Sequence, residues 1–109
     1  MTPKDWLSTI TDYGCVVTGR SDIQRHHVLG RKAKHNKVAI GEWFVLPLWW
    51  ELHDVSSNHP QNVTHYKHRF TDGYGLQSEL FAEMVERLID RGFEVPDQEI
   101  LDAIADTRK

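Results

Sequence analysis

One cysteine in 109 residues, Cys15, leaves no partner for an internal disulfide and no Cys-x-x-Cys zinc knuckle. A lone thiol fits a reducing compartment. No stretch approaches the roughly 20 apolar residues that a membrane-spanning helix needs. The N-terminus also lacks the basic-then-apolar order of a signal peptide, so the expected location is intracellular. Internal repeats and low-complexity linkers are absent as well, and 109 residues correspond to a single domain, 1–109. With 39% hydrophobic and 27% charged residues, the composition is that of a folded chain rather than a disordered one. Its core will be modest, and a bound metal would add stability as well as chemistry.

A large excess of either charge is missing too, but the net −3 conceals a division. Residues 1–19 carry one base and two acids, for −1. Residues 20–69 carry eight bases and four acids, for +4, and residues 70–109 carry four bases and ten acids, for −6. A polyanion would be held by the middle part. All seven histidines fall in that same part, between His26 and His68. Chance on a surface would scatter them. Neutral imidazole is the commonest protein ligand for transition metals, so the clustering points to a metal site.

Local patterns sketch the elements. Thr2, Pro3 and Asp5 read as a helix start, with a Thr cap, Pro in the first turn and an acid at the positive dipole end. Trp6, Leu7 and Ile10 mark one face of that helix, which ends near Gly14. Cys15–Val17, a Thr-Gly-Arg-Ser-Asp turn and Ile23–Leu29 read as a β-hairpin. Gly30–Gly41, with Arg31, Lys32, Lys34 and Lys37, reads as a basic loop. Trp43–Leu48 is a short apolar strand interrupted by Pro47, and residues 48–56 are expected to form a short helix carrying His53. His59-Pro60 breaks that helix, and Asn62 is placed to cap the next, with Val63, Tyr66 and Phe70 at helical spacing. Gly73-Tyr74-Gly75 reads as a turn. Residues 77–91 carry an apolar stripe of Leu80, Phe81, Met84, Val85, Leu88 and Ile89, closed by Gly92. Asp97 is expected to cap a last helix with Ile100, Leu101 and Ile104. The fold class is therefore α+β.

Three segments stand out in order: "IQRHHVLGR", "FVLPLWWELHD" and "NHPQNVTH". Together they resemble the HNH endonuclease family, whose core is a ββα-metal unit. The resemblance covers roughly residues 15–70, with a C-terminal helical part at about 76–106. Within the family it looks most like small phage and prophage nucleases of the recombination-enhancement type. It implies a ββα-metal core flanked by an N-terminal helix and C-terminal amphipathic helices. The implied activity is metal-dependent hydrolysis of DNA, leaving a 5′-phosphate and a 3′-hydroxyl. By the same resemblance His26 is a metal ligand, His27 is the general base that activates water, and His53 is a second ligand. The remaining ligand is expected at His59, with Asn58 and His65 as alternatives. Zinc is expected on ligand type, with magnesium or manganese as alternatives in catalysis. Arg25, Arg31, Lys32 and Lys34 are the expected phosphate contacts, Arg31 first. A recombination or phage protein is the expected targeting partner, and the host cytoplasm the implied location for a phage-encoded chain.

Such chemistry explains the residue types. A phosphodiester repels nucleophiles, a cation held by imidazoles neutralises developing charge, and a free histidine takes the proton from water. Two departures from the family pattern matter. Many members carry an Asn in the second strand to orient the base, and Phe44 stands there, leaving Asn62, Asn36 or a backbone carbonyl for that task. The family's Cys-x-x-Cys knuckle is replaced by Trp49 and Leu52. Geometry adds a constraint: neighbours on a regular strand face opposite ways, so His26 and His27 share one site only at a strand end or bulge. His65 and His68 share a helix face and suit phosphate contact better than ligation. Trp43, Trp49 and Trp50 suit core packing first and base stacking second. The rival reading is a non-catalytic nucleic-acid-binding module with a structural zinc. A third is an interaction protein acting through its acidic helices.

Overall fold

The computed structural model describes residues 1–109. It has a mixed α+β architecture of four α-helices and two small antiparallel sheets. Helix α1 (Pro3–Tyr13) starts as the sequence indicates: the Thr2 hydroxyl accepts from the Asp5 backbone N–H, and the Asp5 carboxylate accepts from the Thr2 N–H. This reciprocal capping box satisfies two otherwise orphaned donors. At its other end Gly14 adopts φ 90°, a left-handed value that a side chain would resist.

The hairpin expected between Cys15–Val17 and Ile23–Leu29 does not form. Strand β1 (Ile23–His27) instead pairs antiparallel with the later strand Val45–Trp49, with His26 opposite Leu46 and His27 opposite Val45. Residues 15–20 make only a tight turn, closed by the Cys15 N–H donating to the Arg20 carbonyl. The apolar run 45–48 explains the choice. All four residues from Val45 to Leu48 are buried, and only a strand covered on both faces buries such a run. Pro47 is tolerated because its strand is exposed to just one paired neighbour, and on the outer side its carbonyl accepts the Val16 N–H.

Between these strands the basic segment is not a plain loop. It folds into a second hairpin, β2 (Lys34–His35) and β3 (Val38–Ala39), and the long strand Val45–Trp49 is therefore β4. Asn36 and Lys37, at φ 50° and 67°, make the two-residue turn. Positive φ at both central positions matches the right-handed twist of the flanking strands.

After β4, the helix expected over 48–56 is reduced to one 3₁₀ turn, Trp50–Leu52, and His53 follows it. The cause lies in Asn62, which is fully buried and spends its side chain on backbone. Its amide donates to the Glu51 and Asp54 carbonyls, and its oxygen accepts from the Thr64 and His65 N–H groups. These carbonyls are thus drawn away from a continuing helix. Asn62 is an anchor of the 53–65 loop rather than the cap of a helix. Helix α2 (Lys67–Tyr74) begins five residues later and includes Gly73 and Tyr74, so the expected turn contracts to Gly75 alone.

Helix α3 (Gln77–Asp90) buries Phe81, Met84, Val85 and Leu88. Helix α4 (Gln98–Thr107) follows, but Asp97 makes no side-chain capping bond; its carbonyl accepts from Ile100 and Leu101 instead. Both α1 and α3 pack on β4, and α4 packs on α3 and on β2 and β3. The buried apolar residues form one cluster, with Phe81 of α3 set edge-on against Trp6 of α1 and Phe44. No helix is long and apolar enough to cross a membrane.

Candidate functional site

Strand alternation puts Gln24 and His26 on one face of β1, and Arg25 and His27 on the other. His53 arrives over the first face as the chain leaves the 3₁₀ turn. Its ring centroid lies 4.9 Å from that of His26. Each ring is held from behind by an amide. His26 Nε2 is 2.8 Å from Gln77 Oε1 at the start of α3, and His53 Nδ1 is 2.7 Å from Gln24 Oε1. An amide oxygen only accepts, so each of these nitrogens carries the proton. The lone pairs are then on His26 Nδ1 and His53 Nε2.

Both rings are neutral at pH 7. Burial lowers the His26 pKa from 6.5 to about 4, and the neighbouring His53 ring opposes a second positive charge. Burial lowers His53 as well, against a smaller opposing pull from Asp54. Lys67, at the start of α2, is close enough for its charge to act on His26 in the same direction.

A stability profile follows from the His26 value. Above pH 6.5 the ring is neutral whether the chain is folded or not, and stability is unaffected. Between 6.5 and about 4 the unfolded chain takes a proton that the folded one refuses, so stability falls as the medium acidifies. The full loss is on the order of 3 kcal/mol, complete below the folded value. Urea denaturation of metal-free protein from pH 7.5 to 4 is expected to show this slope, and His26→Asn to flatten much of it. An unchanged slope in the variant would place the proton uptake elsewhere.

The remaining candidates lie apart from this pair. His27, the last residue of β1, faces the other side, where burial and the charge of Arg31 lower its pKa, while a hydrogen bond to the Arg25 backbone and the charge of Glu42 pull the opposite way. It does not share a face with His26, because no bulge interrupts the β1–β4 ladder. His59 sets its ring edge-on to Trp49 at 5.7 Å, and its Nδ1 accepts the Gln61 N–H. His65 Nε2 donates to the Val55 carbonyl. No three His, Cys, Asp or Glu side chains are grouped closely enough to hold one ion together. Asn62 does not orient His27, since both ends of its amide are committed to backbone. Asn36 is committed as well, donating to Asp106. Among the basic candidates, Arg25 donates to Thr11 of α1, while Arg31, Lys32 and Lys34 line a separate concavity.

Three residues of the His26–His53 site were not read from the sequence. Gln24 was within reach, being two residues before His26 on the same strand. Gln77 and Lys67 were not, because Gln77 is separated from His26 by 51 positions and only packing brings α3 to β1. No family model matches the sequence, and no curated protein or solved structure matches it significantly.

Proposed function

We propose that this chain is a metal-dependent endonuclease of the HNH type, with a ββα-metal core over about residues 15–70, hydrolysing DNA phosphodiester bonds. The observation carrying this reading is the His26–His53 pair: two neutral imidazoles, 4.9 Å apart between ring centroids, each with its second nitrogen fixed by an amide. Outer hydrogen bonds of this kind orient metal-binding histidines in general. The donor set fits a borderline divalent cation, zinc before magnesium or manganese. His26 would hold it through Nδ1 and His53 through Nε2, and His59 is the first candidate for a further ligand, then Asn58 and His65. A cation bound there supplies charge neutralisation at the scissile phosphoryl group and the leaving oxygen.

The protein's own groups have the remaining tasks. His27, neutral near pH 7, is the group able to take a proton from water. Since it faces away from His26, the scissile phosphate must sit at the end of β1, where the chain turns towards Gly30 and both faces are reached. Lys67 beside His26, with Arg25 and Arg31 beyond His27, places cations on both flanks of such a phosphate.

One observation favours the rival, a non-catalytic DNA-binding module with a structural zinc. At the strand position of the family's base-orienting Asn, Phe44 is 0% exposed and packed on Phe81. Neither Asn36 nor Asn62 is free to hold His27, whose ring is met instead by the backbone of Arg25. Supercoiled plasmid incubated with the protein and Zn²⁺, Mg²⁺, Mn²⁺ or Ni²⁺ separates the two. Hydrolysis predicts nicks with 5′-phosphate and 3′-hydroxyl ends, lost in His27→Ala while metal content and DNA affinity persist. A zinc-retaining protein that binds DNA but nicks it with none of these ions belongs to the rival.

A further inference from the structure

Arg31 and Glu42, whose charges act on His27, also line one concavity of about 370 Å³ together with Lys32, Lys34 and Trp43. That is near the lower end of the range for small-molecule sites, about 300–1,000 Å³. Three cations face one carboxylate, leaving +2. None of the three is paired: the ion pairs of the protein are Arg20–Asp22, His35–Asp106 and Arg87–Glu83. Unpaired cations gathered in a concavity repel one another unless an anion joins them.

The concavity is also held in shape. The Ala33 carbonyl accepts N–H groups from both Ile40 and Gly41, each at 3.0 Å, closing the base of the β2–β3 lobe. Gly41 lies so close to the Arg31 carbonyl that any side chain would collide with it. At the lobe's tip, His35 Nε2 and Asn36 Nδ2 both reach the Asp106 carboxylate of α4, at 2.8 and 3.1 Å. Trp43 is fixed from below, its carbonyl accepting the Trp6 indole N–H at 2.9 Å, and its ring is only partly covered. A basic segment of this composition could have been a mobile arm. Its tethers mean that little ordering entropy remains to be lost on binding.

We propose that this concavity is a pocket for one unpaired nucleotide of single-stranded DNA, with the phosphate on Arg31, Lys32 and Lys34 and the base against the ring of Trp43. A paired base is stacked within its duplex and does not reach an aromatic ring set in a cavity, whereas an unstacked one does. A duplex would meet only the cations. The pocket rests on the nucleic-acid part of the function proposed above and specifies its substrate as unpaired strand. It does not depend on cleavage.

Fluorescence anisotropy of labelled single-stranded dT12, and of the dT12·dA12 duplex, tests the assignment. Wild-type protein is expected to bind the single strand at least tenfold more tightly. Trp43→Leu should weaken single-strand binding by about 5- to 100-fold, the loss of one base–aromatic stack, and leave duplex binding unchanged. Trp43→Phe should restore most of the affinity. The Lys32→Gln/Lys34→Gln double variant should weaken both ligands and reduce the salt slope for dT12 by about 1.4. Ala39→Glu, an exposed pocket position, offers a variant that leaves the core untouched, should Trp43→Leu fail to fold; it too should weaken dT12 binding. Equal affinity for both ligands, or dT12 binding indifferent to Trp43→Leu and Ala39→Glu, overturns the pocket. Nicking activity without these effects would sink the pocket alone, and these effects without nicking would sink the nuclease alone.

Discussion

On the endonuclease proposal, His26→Ala is expected to lower metal-dependent nicking by more than about a hundredfold and to abolish retention of a divalent ion. The size follows from a comparison: removing merely an outer partner of a metal ligand costs about 10–100-fold in affinity or activity. Losing the ligand itself must cost more. His53→Ala should do the same, since its ring completes the pair at 4.9 Å. Gln77→Leu, which leaves both rings but frees the His26 Nε2 N–H, should fall in the smaller range. Metal analysis after dialysis, run beside a plasmid nicking assay, measures both quantities. If His26→Ala keeps its ion and its nicking rate, the pair is not the metal centre. His26→Ala should also lose about 1–3 kcal/mol of stability at pH 7, because the buried Gln77 amide oxygen is left without its donor, and its acid sensitivity should diminish as described for His26→Asn.

The second large effect concerns folding. Phe44→Ala is expected to cost about 3–5 kcal/mol, the usual range for truncating a core phenylalanine. For a domain of this size that lowers the melting temperature by roughly 12–20 °C. Such a loss is a large share of the whole stability of a small protein, about 5–15 kcal/mol. The reason is position. Phe44 is 0% exposed, meets Phe81 edge-on at 5.5 Å, and through its carbonyl continues the ladder to Val28. The Phe44 ring thus joins α3 to the start of β4, while the backbone bond to Val28 survives truncation. Phe44→Asn should cost at least as much, because an amide would be buried among apolar neighbours. Thermal unfolding by circular dichroism checks both. A loss below about 1 kcal/mol would mean that the core relaxes around the gap and that Phe44 is not its keystone. Because Phe44 packs directly on Phe81, an asparagine at position 44 requires α3 to repack.

Some of this was legible in the sequence and some was not, and the division follows the range of the interaction. Thr2, Pro3 and Asp5 act within one turn, so the start of α1 could be read directly. The stripe from Leu80 to Leu88 and the stop at Gly92 did the same for α3. The family resemblance implies that His26 and His53 converge, and in the fold their rings lie 4.9 Å apart. The strand partner of β1 was misread because the nearer apolar segment, Cys15–Val17, satisfies the same local pattern as Val45–Trp49. The 48–56 helix was misread because its carbonyls are claimed by Asn62, an acceptor–donor match that no local periodicity encodes.

The chain alone determined that its charge is divided, +4 in the middle and −6 at the end, that its histidines share the positive part, and where its two most regular helices begin. Only the folded molecule decided which strand lies beside β1, that His27 faces away from His26, that Gln77 stands behind a ring 51 positions earlier, and that the basic segment is a braced lobe beside Trp43. The Thr2 capping box and the α3 stripe are settled within a few residues by geometry every chain shares, whereas Asn62 and Asp97 show that a capping residue type alone does not make a cap. Pairing and convergence depend on which buried surfaces meet, and that choice is made by all the core side chains at once.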